Sequence, residues 1–300
     1  MARTAVILTT YNRPTLVQDA IRSVLEQTDQ DIRLIIMDDG CNTESRDAIR
    51  LALSDNLFVS INMMGGQVRH GDRWSWWRGP QRDMASRKSF ISYSHNINLA
   101  LNYLLLDEKY VCYLCDDDQY FPESIGVRAD FLDAHPDVHV VYGRSRSVQY
   151  GLGGYNTWSD SDSPKSGRFY PRPTGERIMQ PHGLSARHYF KNGEVDPETS
   201  LPYVEEAFFI EGFLQYGKPG MIDHNSFLHR RECLTTCRKW PVRLDGYTEY
   251  WGVANSHGVG DAAFLTLLGE AHEFYGIPEW VVTKKYHAKS DGCCAAEIRE

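Results

Sequence analysis

Hydrophobic and polar positions in the first half of the chain alternate between two patterns. Thr4 to Thr10 (TAVILTT) is a continuous apolar run closed by hydroxyls, the mark of a strand buried on both faces of a parallel sheet. Tyr11-Asn12-Arg13-Pro14 then reads as a turn, and Pro14 suits the first turn of a helix running to about Gln27. Its apolar positions Leu16, Val17, Ala20, Ile21, Val24 and Leu25 keep helical spacing. A second run, Ile32 to Met37, ends in Asp38-Asp39-Gly40 and leads to a helix around Glu44 to Leu53 and a third strand around Leu57 to Ile61. Phe90 to Leu106 has helical periodicity through Ile91, Ile97, Ala100, Leu101 and Leu104, and feeds an apolar strand at Val111 to Cys115. Pro122-Glu123-Ser124 starts a helix to about His135, Pro136 ends it, and Val138 to Tyr142 reads as a further strand. Strand alternating with helix predicts an α/β fold with a doubly wound, mostly parallel sheet flanked by helices. Ligands of such sheets bind beyond the carboxyl ends of the strands, so Thr9, Asp39 and Asp117 are expected to share one edge.

Two stretches break the pattern. Residues 62–89 are polar and punctuated by Trp74, Trp76 and Trp77 and by Arg69, Arg73, Arg78, Arg82 and Arg87, which reads as a functional loop or lid. Its tryptophans either anchor it or meet the flat face of a sugar or base, and its arginines are either solvated or aimed at a diphosphate. From Gly151 to about Pro202 the periodicity dissolves into Gly, Ser, Asp, Pro and aromatic residues, either partly disordered or an excursion shaping an acceptor site. Regularity returns with Glu205 to Leu214 and Met221 to Arg230, and the apolar run after Gly260 reads as a helix for which Asp261 is either a cap or a functional carboxylate.

Composition narrows the class. A chain of 300 residues that is 42% hydrophobic and 24% charged suits a globular protein with a sizeable core. No apolar run approaches a membrane span and MARTAVILTTYN enters a strand without a basic leader, so a cytoplasmic protein with no transmembrane segment is expected. A net charge of -8 argues against wholesale nucleic-acid binding. The 7 cysteines follow no regular framework, so reduced thiols are expected. Cys112 and Cys115 form a C-x-x-C inside an apparent strand, where side chains three apart point to opposite faces, which disfavours zinc. The absence of G-x-G-x-x-G after the first strand disfavours a dinucleotide-dependent dehydrogenase.

Candidate chemistry concentrates in VCYLCDDDQYFP, where a strand delivers Asp116, Asp117 and Asp118 to its own end. Carboxylates this close repel, so a divalent metal or another positive group is the reason to gather them; a solvated acidic turn is the alternative.

Five separated blocks, VILTTYNRP, IIMDDG, CDDDQYFP, MIDHNSFLHRRECL and VGDAAF, resemble in that order the inverting family 2 glycosyltransferases of the GT-A fold, its spore-coat members most of all. The resemblance covers roughly residues 1–60, 90–150 and 218–290. It implies a nucleotide-sugar-binding α/β half over 1–143 and an acceptor-binding half of the same domain over 144–300, with the excursion at about 151–202. Thr9, Tyr11, Arg13, Asp39 and Asp116 match the nucleotide-binding motifs, Asp39 reading the base and Asp116 facing ribose or metal. Asp117, with Asp118 and His287, matches the holders of Mn²⁺ or Mg²⁺. Asp261 matches the catalytic base and Asp223 a second carboxylate on the acceptor side, where His224 and Trp251 also fall. Arg78, Arg82 or Arg87 meets the diphosphate. Cys115 stands where many relatives carry the first aspartate of D-x-D.

The chemistry this implies is transfer of a sugar from a nucleoside diphosphate, UDP or dTDP, to a hydroxyl of a small-molecule or glycan acceptor. The metal neutralises the leaving group and a carboxylate takes the acceptor proton, one displacement giving inversion. A sugar nucleotidyltransferase and a non-catalytic nucleotide-sugar-binding homologue are the alternatives.

Overall fold

The computed structural model of the chain describes residues 2–53, 59–63, 66–80, 92–105, 107–149, 156–157, 188–195, 202–207, 224–236, 264, 268, 272 and 274–286. In chain order its elements are β1 (Thr4–Thr10), α1 (Pro14–Leu25), β2 (Ile32–Asp38), α2 (Thr43–Leu53), β3 (Val59–Met63), β4 (Gly66–His70), β5 (Trp74–Arg78), α3 (Ser92–Tyr103), β6 (Tyr110–Cys115) and β7 (Gln119–Tyr120). There follow α4 (Ser124–Ala134), β8 (Val140–Gln149), β9 (Asn156–Thr157), β10 (His188–Val195), β11 (Pro202–Ala207), β12 (Phe227–Arg230), α5 (Cys233–Thr236) and β13 (Phe274–Tyr286).

One large sheet has the order β3-β4-β5-β2-β1-β6-β12-β8-β13-β7, with β9 beside β8, while β10 and β11 pair separately. Its centre is the expected parallel block: β1 runs parallel to both β2 and β6, and β2 parallel to β5. Both flanks are mixed, because β3-β4-β5 add as antiparallel neighbours on one side and β12 inserts antiparallel between β6 and β8 on the other.

The continuous apolar runs are needed because helices cover both faces of the central block. Alternate residues of each strand serve opposite cores: Val6, Leu8, Leu34, Ile36, Cys112 and Leu114 pack with α1, α2 and α4. Ala5, Ile7, Ile35, Met37, Val111 and Tyr113 pack with α3 and with Phe264 and Leu268. Each fully buried aliphatic side chain of this kind contributes about 1.5–3 kcal/mol.

The lid expected over 62–89 is corrected where it is described. Residues 66–78 form a hairpin, β4 and β5, and β5 docks in register beside β2, pairing Leu34 with Trp74 and Asp38 with Arg78. Trp76 enters one core and Trp77 the other, both almost fully buried, so WSWW is a strand covered on both faces. Arg69 and Arg78 each lie against the Trp76 ring, at 5.7 and 5.4 Å. Arginines beside tryptophans mask the strand pattern, because their stems pack while their heads stay polar. Arg82 and Arg87 lie outside the described residues.

Under the carboxyl end of β6, Tyr113, Phe227, His229 and Phe264 form a buried ring cluster. His229 donates from Nδ1 to the Arg230 carbonyl (2.8 Å) and accepts at Nε2 from the Tyr113 hydroxyl (2.9 Å), the neutral tautomer. Burial lowers its pKa from 6.5 to about 4. The unfolded chain takes up this proton below about 6.5 and the folded chain refuses it until about 4, so stability rises with pH across that window and is lost as pH falls through it. The loss approaches roughly 3 kcal/mol at its acid limit. Denaturant midpoints measured from pH 7 to 4.5 are expected to fall in the wild type and to fall less steeply in His229→Gln; parallel slopes exclude His229 as the cause.

Candidate active site

Four parallel strands end together and make the floor of the site. The pairing of Thr10 with Asp38, of Asp38 with Arg78 and of Thr9 with Cys115 brings the carboxyl ends of β1, β2, β5 and β6 to one edge. Thr9, Tyr11, Arg13, Asp39, Arg78 and Asp116 to Asp118 are therefore gathered there, as the strand pattern requires.

The turn from β1 to α1 is held from the end of β6, the strand paired beside β1. Asn12 takes a left-handed conformation (φ 50°), tolerated by asparagine, and its side chain accepts from the Asn42 N–H at 2.7 Å. Asp116 Oδ2 accepts from the Thr10 hydroxyl (2.8 Å) and the Tyr11 N–H (3.1 Å), and its Oδ1 accepts from Arg13 Nη1 (2.9 Å). The same Arg13 nitrogen donates to Asp117 Oδ2 at 2.7 Å, so one guanidinium clasps two adjacent carboxylates. Burial pushes the Asp116 carboxyl above its ordinary value; Arg13 opposes the rise, Asp117 adds to it, and the Thr10 and Tyr11 donors oppose it.

Asp118 looks the other way. The turn closes with its N–H on the Cys115 carbonyl (3.2 Å), and its Oδ2 accepts from Asn225 Nδ2 at 2.6 Å. Asn225 Oδ1 accepts from the Cys115 N–H at 2.8 Å, and Cys115 Sγ lies 3.1 Å from His224 Nε2. This meeting follows from β12 running antiparallel to β6, which brings the residues before Phe227 to the end of β6. Arg128, fully buried, braces the turn by donating from Nη1 to the Ser226 carbonyl (3.0 Å) while holding Ser124 through Nε and Nη2.

On the β2 side, Asp38 is fully buried and structural: Oδ1 accepts from the Cys41 N–H (2.6 Å) and Oδ2 from Arg46 Nε (2.9 Å). Gly40 has φ 81°, so the DDG turn needs a residue without a Cβ there. Arg46 also donates to the Gly79 carbonyl (3.0 Å), lashing β5 to this turn, and the Asp39 N–H donates to the Thr10 carbonyl (3.0 Å). Burial lowers the pKa of Arg78, with Arg46, Arg69 and Arg50 adding to the effect, which marks a surplus of positive charge on this side of the edge.

Carboxylate oxygens suit Mg²⁺ or Mn²⁺. Among the described residues, however, no three His, Cys, Asp or Glu side chains are grouped to hold an ion. Arg13 lies between Asp116 and Asp117, and Asp118 is turned to Asn225. The set fits a cation held by one or two carboxylates, with its other positions supplied by a diphosphate and water. His224 is nearly buried against Cys115, while Asp223, Trp251, Asp261 and His287 lie outside the described residues. Sequence reasoning overlooked Thr10, Asn225, Arg46 and Arg128; for Asn225 the available signal was a polar His-Asn-Ser run entering the apolar strand FLHR.

With this geometry in hand, comparison with known proteins is decisive for the fold. Residues 5–69 match the family described as Glycosyl transferase family 2, a span that starts in β1 and includes both the Asn12 turn and the DDG turn. This stretch is similar to the family 2 glycosyltransferases. Protein CgeD of Bacillus subtilis (strain 168) is 26% identical over 278 residues, covering 92% of this chain and 48% of CgeD. The chain thus spans about half the length of that curated relative. The crystal structure of S. aureus TarS 1-349 superposes with a TM-score of 0.51 at 10% identity, over 95% of this chain and 60% of that one. The same TarS 1-349 in complex with UDP gives 0.51 at 12% identity with the same coverage. The fold is therefore of the GT-A type that the ordered blocks implied. Among the described residues no helix is long and apolar enough to cross a membrane.

The Asn225 bridge is a joint between the two halves of the site. Asn225→Ala removes its bonds to Cys115 and Asp118 together and is expected to lower stability by about 1–3 kcal/mol in chemical denaturation. Asn225→Gln, one methylene longer, is expected to restore little of it; a neutral Asn225→Ala would show that the bridge adds nothing.

Proposed function

We propose that this chain is an inverting glycosyltransferase that moves a sugar from a nucleoside diphosphate, UDP or dTDP, to a hydroxyl acceptor with the help of Mn²⁺ or Mg²⁺. The observation that carries the reading is the gathering of Thr9, Tyr11, Asp39, Asp117 and Arg78 at one carboxyl edge of a family 2 sheet. UDP is the favoured nucleotide because TarS, which shares the fold, has been crystallised in complex with it.

The residues divide the work by position. Asp39, in the middle of the DDG turn, reads the base, and Thr9 and Tyr11 line the nucleoside side. Asp117 would hold the divalent cation, which when bound neutralises charge developing on the leaving diphosphate, while Asp118 is bonded to Asn225. Arg78 supports that same end, since its cationic neighbours Arg46 and Arg69 make the edge attractive to an anion. Asp261 takes the proton of the acceptor hydroxyl as it attacks the anomeric carbon from the face opposite the diphosphate. The buried packing of Phe264, three positions after Asp261 in the sequence, against Tyr113 and Phe227 near the same edge supports this role. Asp223, His224 and Trp251 serve the acceptor side, and His287 joins the metal or diphosphate end.

Calorimetry with UDP, with and without Mn²⁺, tests the nucleotide half of the proposal. Metal is expected to tighten UDP binding by about tenfold or more, and Asp117→Asn to abolish that gain; UDP affinity indifferent to both metal and Asp117 would sink it. For the chemical half, Asp261→Asn is expected to reduce transfer by about 10²–10⁴-fold in a sugar-nucleotide panel while nucleotide affinity stays within about twofold. Near-normal turnover would move the base elsewhere.

A further inference from the structure

Two guanidiniums share one indole on the face of the sheet that carries α2. Arg69 in β4 stands directly opposite Trp76 in β5, and Arg78 lies two residues further along β5, so the register puts all three side chains on one face. The Arg69 and Arg78 heads lie 5.7 and 5.4 Å from the centroid of the Trp76 ring, which is fully buried. Cation–π contact with that ring positions both heads. Carboxylates do not neutralise them. Among the described residues Arg69 makes no hydrogen bond or salt bridge, and Arg78 makes only a long bond, 3.5 Å, to Gln67 Oε1. Asp38, the register partner of Arg78 on β2, already accepts from the Cys41 N–H and from Arg46 Nε. Arg50, one turn along α2 from Arg46, is bonded to Asp47.

The same three residues carry an independent mark. Trp76 Nε1, Arg69 Nε and Arg78 Nε are buried N–H donors without an acceptor, whereas buried donors of folded proteins are almost always paired. Surplus positive charge and unmatched donors in one place have a common answer, an anion with several oxygens. A planar carboxylate is satisfied by a single arginine fork, while two guanidiniums borne by adjacent strands suit the tetrahedral oxygens of a phosphate group. We propose that Arg69 and Arg78, positioned by Trp76, clamp a phosphate group at the β4–β5 side of the carboxyl edge. Two sources share this chemistry, the diphosphate of a bound nucleotide and a free phosphate or pyrophosphate. Only the first rests on the sugar-nucleotide reading above.

The test titrates inorganic phosphate, pyrophosphate, UDP and uridine, at constant ionic strength, into wild type, Arg69→Gln and Arg50→Gln by calorimetry, with melting temperature as a second readout. Arg69→Gln is expected to weaken the phosphate-bearing probe that binds by about tenfold or more and to leave uridine within about twofold. Arg50→Gln, which removes a neighbouring charge outside the clamp, should leave every probe within about twofold. Arg69→Lys, a point charge without the guanidinium fork, should fall between wild type and Arg69→Gln, and it is the readout if Arg69→Gln does not fold. Loss confined to UDP assigns the clamp to the nucleotide's diphosphate; loss of phosphate or pyrophosphate binding that persists beside saturating UDP assigns it to a free anion. Affinities indifferent to Arg69, or an equal loss for uridine, overturn the proposal. Arg69-dependent pyrophosphate binding without any UDP binding leaves the clamp standing and sinks the sugar-nucleotide reading, whereas UDP binding unchanged in Arg69→Gln does the reverse.

Discussion

Asp116 is a carboxylate withdrawn from water at the point where two parallel strands end. An ionised group there is costly unless hydrogen bonds and an opposite charge surround it. The Thr10 hydroxyl, the Tyr11 N–H and Arg13 satisfy it, and in doing so they decide how the chain leaves β1. The left-handed Asn12, the Pro14 start of α1 and the direction of Tyr11 all belong to a turn whose backbone this one side chain fastens. Its neighbour Asp117 shares the same guanidinium at 2.7 Å.

The second half of the chain reaches the same place by a different route. Inserting β12 antiparallel beside β6 delivers His224 and Asn225 to the end of a strand that runs the opposite way. A buried arginine without a carboxylate bond among the described residues, Arg128, uses backbone and hydroxyl oxygens to brace the turn, and its charge lies over the Tyr120 ring at 4.9 Å. Early and late parts of the chain are thus joined at this edge through Asn225 and Asp118, a link made of side chains and not of strand pairing.

Much of this was legible in the residues. The apolar runs of β1, β2 and β6 announce burial on both faces, and because parallel strands share a direction, the edge carrying Asp39 and Asp117 follows from the pattern. The close of the second run at Asp38-Asp39-Gly40 is in the pattern, and Asp38 holds that turn through Cys41 and Arg46. The strand Trp74–Arg78 was not legible, since its burial is imposed by docking on β2 and its arginines imitate a polar loop. Nor does adjacency tell Asp116, Asp117 and Asp118 apart: successive residues of a tight turn point in different directions, and only the folded turn assigns one to Thr10 and Arg13, one to the rim and one to Asn225. Asn225 itself was passed over because its partners lie 107 and 110 residues earlier, beyond the reach of any local pattern.

That separation has a consequence for how the molecule comes into being. Local contacts form quickly, while pairings across a hundred residues wait on slow loop closure. During synthesis β1, α1, β2 and β6 emerge long before Phe227, so β6 stands as an open edge with unpaired backbone groups until β12 arrives. The strand that fills the gap between β6 and β8 is also the one that brings Asn225 to Asp118. Protection of the growing chain from edge-to-edge association and completion of its site are therefore a single event.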